Sequence, residues 1–182
     1  MRTLIFLLAV LAGTLAAEPV FILELGMKGI IEPGTSSPEL EIIRGSWKKA
    51  GKNTKLTIRG DAFPQWRKYS FSFVPRKKGF VELTLKSSSA LAVAFDDLSM
   101  TGSTLLNGGF EDLRSDKKTP TGWGVSYETM TNMFPLSGSF CISVAGKQYA
   151  VQSFHVNAGE EIKLEFHVRS AFNDKKQMEN QK

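Results

Sequence analysis

Lys68-Tyr69-Ser70-Phe71-Ser72-Phe73 and, beyond a turn from Pro75 to Gly79, Val81-Glu82-Leu83-Thr84-Leu85-Lys86 decide the class of fold. In both runs apolar and polar residues alternate with period two, which in an extended chain puts every apolar side chain on one face. The pair reads as a hairpin with one buried face. The same design recurs downstream. Gln152, Phe154 and Val156 share one parity, Asn157-Ala158-Gly159 turns the chain, and Ile162, Leu164, Phe166 and Val168 follow. Lys163, Glu165, His167 and Arg169 occupy the opposite face.

Outward from these runs, further strands are expected at 20–25, 39–44, 54–59, 91–100, 104–111, 122–128 and 139–145, divided by Gly, Pro, Asn and Ser clusters. No window carries a helical stripe. About eleven short strands at this spacing predict an all-β protein, a two-sheet antiparallel β-sandwich of jelly-roll type.

The N-terminus, Met1-Arg2-Thr3 followed by an apolar run from Leu4 to Leu15 and the pair Ala16-Ala17, has the layout of a secretory signal peptide. The run is short of the ~20 residues that span a bilayer. Residues 1–17 are therefore expected to be cleaved, leaving the protein secreted or periplasmic with no membrane association. Cleavage takes away Arg2 and no acid, lowering the formal net charge from +5 to +4. Residues 18–172 are expected to form one domain, and the patternless polar stretch 173–182 a disordered tail. Export disfavours nucleic acid as a partner, while a basic surface would attract a sulfated or uronic polysaccharide. The single cysteine, Cys141, cannot form an internal disulfide and reads as a buried small hydrophobe.

Leu106-Asn107-Gly108-Gly109-Phe110-Glu111 is followed in order by Pro120-Thr121-Gly122-Trp123 and Ser137-Gly138-Ser139-Phe140. This series resembles the start of a carbohydrate-binding module, of the galactose-binding-like jelly rolls that accompany xylanases and glucanases. Gln152-Ser153-Phe154 through Val168 looks like that family's middle hairpin, and the likeness covers residues 105–170. Residues 66–101, from Trp66 through Phe95-Asp96-Asp97-Leu98, look like the family's ending. The ending thus precedes the beginning. Since the two portions together amount to one jelly roll, they imply a circularly permuted module, with 18–101 as the family's C-terminal half and 105–172 as its N-terminal half; the alternative is two truncated half-modules, which would expose unpaired sheet edges. Met100 to Asn107 would bridge the usual ends.

The resemblance implies non-catalytic binding of an oligo- or polysaccharide. Two alternatives stand beside it: a structural or adhesive protein that holds a protein partner, and a detached accessory module of a glycoside hydrolase. Sugar recognition sets an aromatic ring against a pyranose face, with hydrogen bonds at its rim. Trp47, in Gly45-Ser46-Trp47-Lys48-Lys49, which reads as a polar basic loop with no alternation to bury it, is the first candidate platform, with packing on the core edge as its alternative. Trp66, Trp123 and Tyr127 are further ligand-binding candidates, the two tryptophans having a core role as the alternative, and Tyr149 is weaker. Arg67, Gln152 and Asn132 are candidates for polar contacts. Carboxylates on adjacent strands can also hold calcium through oxygen ligands. The resemblance implies a structural Ca2+ held by Asp97 and Glu111, with Asp96 on the other face of its strand; the alternative is that backbone donors satisfy these acids. No glycosidase pair of acids ~5–9.5 Å apart is recognisable, and His155 and His167 read as solvent-exposed and inert. The chain is therefore not expected to be an enzyme.

Overall fold

A computed structural model describes residues 19–27, 44–50, 53–75, 77–127 and 129–171. Residues 1–17, expected to be a signal peptide, residues 39–43 of the strand expected at 39–44, and the expected tail 173–182 lie outside these residues. Eleven strands follow in chain order: β1 (Val20–Met27), β2 (Arg44–Ala50), β3 (Asn53–Asp61), β4 (Arg67–Phe73), β5 (Gly79–Ser87), β6 (Ala92–Thr101), β7 (Gly124–Val125), β8 (Met130–Thr131), β9 (Cys141–Val144), β10 (Tyr149–Val156) and β11 (Ile162–Ala171). They form two antiparallel sheets, one of six strands in the order β2-β3-β1-β5-β10-β7 and one of five in the order β4-β11-β6-β9-β8. The protein is an all-β sandwich.

Alternation places the core. In the six-stranded sheet Phe21, Leu23 and Leu25 of β1 face Gly60, Ile58 and Leu56 of β3, and on the other side Leu85 and Leu83 of β5. In the five-stranded sheet Tyr69, Phe71 and Phe73 of β4 lie beside Phe166, Leu164 and Ile162 of β11. These side chains meet in one buried cluster between the sheets. Aromatic rings bind the layers together: Phe21 of the first sheet touches Tyr69, Phe95 and Phe166 of the second at centroid distances of 4.8, 6.2 and 5.6 Å, within the range where tilted and edge-on pairs are attractive.

The two strand pairs that decide the fold are not hairpins. β4 lies in the five-stranded sheet and β5 in the six-stranded one, and β11 and β10 are divided in the same way. Each apolar face points into the common core from opposite sides, so the segments 74–78 and 157–161 are corners that carry the chain from one sheet to the other. The corners are tied together by Gly159 N–H donating to Pro75 O at 2.8 Å. Strands before residue 102 and strands after residue 123 consequently share both sheets: β5 pairs with β10 in one, and β11 lies between β4 and β6 in the other.

The expected strand at 104–111 is a series of turns, because Asn107 and Phe110 adopt φ of 49° and 62°, a left-handed backbone that cannot continue a ladder. The expected strand at 122–128 shrinks to β7. Trp47 lies in strand β2, opposite Leu56 of β3, and not in a loop.

Candidate functional site

The site on the outer face of the five-stranded sheet begins with an irregularity in β6. Its register against β11 shifts between Glu165 and His167, and Asp97 takes a φ of 47°. This bulge changes the parity of the strand. Val93 and Phe95 point into the core before it, and Leu98 and Met100 do so after it. Leu98 N–H, displaced from the ladder, donates to Gly108 O at 3.0 Å. Gly108 lies so close that a Cβ there would overlap the Leu98 carbonyl oxygen, which is why this position of the Asn-Gly-Gly-Phe-Glu turn requires glycine.

The bulge and the docked turn bring Asp96, Asp97 and Glu111 to one loop. Asp96 is fully buried. One of its oxygens accepts from Asp97 N–H at 2.8 Å, and the other from Leu136 and Ser137 N–H at 2.8 and 3.3 Å. Ser137 Oγ–H donates to Asp97 Oδ1 at 2.7 Å. Glu111 Oε1 accepts from Ser139 and Phe140 N–H, both at 2.9 Å, and its Oε2 from Ser139 N–H at 3.0 Å. Desolvation raises the Asp96 carboxyl from 3.8 to about 6, the backbone donors offsetting part of the effect and the Asp97 charge adding to it. The three acids thus clamp a strap, residues 132–140, that crosses the outer face between β8 and β9. Among the described residues no group of three acids, histidines or cysteines is placed to hold a metal ion. With five of their oxygens accepting N–H or O–H donors, Asp96, Asp97 and Glu111 do not fit the calcium site that the sequence suggests.

At its far end the strap reaches Trp66, whose Nε1–H donates to Phe134 O at 3.3 Å. Beside them Arg169, on the outer face of β11, stands opposite Ala94 of β6, which in turn faces Ser143 of β9. These small neighbours leave the long side chain room to turn toward the two rings. Its guanidinium carbon lies 5.9 Å from the Trp66 ring centroid and 5.5 Å from that of Phe134. Both distances are within cation–π reach, worth ~0.5–1 kcal/mol each at exposed sites. Phe134 is 58% exposed and Trp66 is half-buried. Further along the face Lys68 and Lys163 both pair with Glu165, at 2.9 and 3.3 Å, and their hydrogen bonds hold the Glu165 carboxyl below its ordinary range. His167 between them is half-buried rather than solvent-exposed. Its Nδ1 has no hydrogen-bond partner, and desolvation lowers its pKa.

The other candidates do not join this cluster. Trp123 is a core residue: it is fully buried, it packs on Phe110 at 5.2 Å, and its Nε1–H is shared between Leu106 O and Asn107 O at 3.1 Å. It presents no ring to a ligand. Gln152 is buried too, accepting from Leu106 N–H and donating to Leu106 O and Gly122 O, so it holds the 106–122 segment in place. Tyr127 is 83% exposed, but it follows β7 at an edge of the six-stranded sheet, next to Ser126, which exchanges hydrogen bonds with the Tyr149 backbone. Trp47 lies on β2 at the other edge of that sheet. Arg67 stacks on the Phe63 ring at 3.6 Å. Asn132 is exposed on the strap. Of the sequence candidates, only Trp66 belongs to the aromatic and cationic cluster. Phe134 and Arg169 were not singled out as ligand contacts; the outward parity of Arg169 on β11 was legible, but its ring neighbours come from segments remote in the chain.

No family model, no curated protein and no solved structure matches the chain.

Proposed function

We propose that this protein binds an oligo- or polysaccharide without altering it, on the outer face of the five-stranded sheet and outside the cell that exports it. The observation that carries this reading is the set of Trp66, Phe134 and Arg169 at the end of the strap, an aromatic surface with hydrogen-bond donors beside it. A pyranose offers an apolar face for such rings and hydroxyls for the flanking donors. Lys68, Ser70, Ser72, Lys163 and Glu165 extend a polar surface along β4 and β11. A non-catalytic role is supported by the nearby acids. Asp96, Asp97 and Glu111 are engaged by the strap, and Glu165 by two lysines, so each has a structural task already. We further read the sandwich as the permuted jelly roll that the motif order suggests, a reading supported by the pairing of early with late strands in each sheet, β5 with β10 and β4 and β6 with β11. Cutting between Thr101 and Ser103 should then leave the two portions assembled.

Affinity electrophoresis through xylan, β-glucan, galactan and uronic polymers tests the proposal. Retardation by at least one polymer is expected, with Trp66→Ala and Phe134→Ala each weakening it about tenfold and leaving the unfolding transition cooperative. Migration unaffected by every polymer, or variants that bind as tightly as the parent, would remove the reading. A protein-binding role would then gain ground, since the strap also exposes Met133 and Leu136.

A further inference from the structure

Arg169 differs from the other cations on its face. Lys68 and Lys163 both pair with Glu165. Arg169, by contrast, has no carboxylate within salt-bridge distance among the described residues, and the one hydrogen bond of its guanidinium is from Nε–H to Ser170 O at 3.3 Å. That bond and the two nearby rings hold the group at the end of the strap, while its terminal amino groups, with four N–H donors, have no acceptor among the described residues. Asp96 sits opposite His167, two pairs from the Arg169–Ala94 pair, and its oxygens accept from the backbone N–H groups of Asp97 and of the strap residues Leu136 and Ser137. A planar cation beside two aromatic rings, with its fork of donors unused, suits a planar or tetrahedral oxyanion.

We propose that the ligand of this surface is an anionic saccharide, a uronate or a sulfate ester, whose charged group is held by Arg169 while the sugar ring lies against Trp66 or Phe134. The inference rests on the carbohydrate-binding reading and narrows it to a substrate class. A neutral glycan would use the rings but leave the guanidinium donors to water. An anionic one engages both, and its charge brings it toward a chain of formal net charge +5, or +4 once residues 1–17 are removed.

The test uses the full chain with five probes: polygalacturonate as the carboxylate source, dextran sulfate as the sulfate source, xylan and galactan as neutral polymers, and polyglutamate as a polyanion without sugar. Binding to at least one of the first two should exceed binding to the neutral polymers tenfold or more, and the preferred probe identifies the oxyanion. The excess should shrink as salt rises, because screening shortens electrostatic reach. Arg169→Gln should abolish the preference, Arg169→Lys should restore only part of it because an ammonium lacks the planar fork, and Phe80→Ala, at an exposed ring on the opposite sheet, should leave it intact. Arg169→Gln binding as the parent does, or polyglutamate binding equally well, would overturn the assignment. Retention by neutral polymers alone would overturn it while leaving the carbohydrate reading in place, and retention by none would remove both.

Discussion

Asp96→Asn offers the sharpest test of how the strap is held. In the folded protein desolvation raises the Asp96 carboxyl from 3.8 to about 6. Between those two values the native state therefore binds more protons than the unfolded chain, and stability falls as pH rises through the window. The contribution is fully present below about pH 4 and lost above about pH 6. At ~1.4 kcal/mol per pH unit the difference amounts to about 3 kcal/mol. Urea unfolding of parent and variant at half-unit steps from pH 4 to pH 7.5 measures it. The readout is the difference between the two stability curves, not the stability of the variant at one pH, because an amide turns one acceptor into a donor facing the N–H of Asp97 or of Leu136. The curves should converge or cross as pH rises, the parent losing about 3 kcal/mol relative to Asp96→Asn. Parallel curves across the whole range would refute the claim that a buried, unpaired carboxylate anchors the strap.

Three further outcomes are expected. Gly108→Ala should destabilise by more than about 2 kcal/mol, since its Cβ would meet the Leu98 carbonyl, whereas Gly146→Ala, at φ 57° with nothing near its Cβ, should cost only the ~1–2 kcal/mol of a left-handed alanine; equal losses in urea would contradict the close approach. The Cys141 thiol, pushed by burial up to about 12, should resist disulfide reagents at pH 8 until the protein unfolds, and complete labelling of the native protein within minutes would show that it is reachable. Calcium at millimolar concentration should leave the melting temperature where a chelator leaves it; a rise of several degrees would mean that Asp96, Asp97 and Glu111 release their backbone donors to an ion.

Period-two alternation in 68–73, 81–86, 152–156 and 162–168 states which residues face the core, and each of those faces is buried as expected. Alternation carries no information on the partner strand. Two apolar faces that pack against each other across a sandwich look the same in sequence as two that lie side by side in one sheet, so the crossed corners at 74–78 and 157–161 were read as hairpins. The turns at 107–110 were hidden for a related reason: Leu106, Phe110 and their neighbours have strand-like composition, and only the contact of Gly108 with Leu98 reveals why the chain bends. Trp47 was placed in a loop because Lys48 and Lys49 suggested a solvated turn, yet an edge strand tolerates lysine well. In the candidate site Trp66 was legible as an aromatic that opens a strand. Its association with Phe134 and Arg169 depends on the strap, and the strap depends on a bulge that leaves no mark in residue order.

β11, the last strand among the described residues, occupies an interior position, between β4 and β6. While the polypeptide is being synthesised, Tyr69, Phe71 and Phe73 must therefore wait for some ninety residues before their neighbours Phe166, Leu164 and Ile162 arrive. Contacts so distant in sequence form slowly and leave apolar strand edges uncovered in the interval. Edges uncovered in this way invite aggregation, so refolding from urea should lose yield to insoluble material as protein concentration rises.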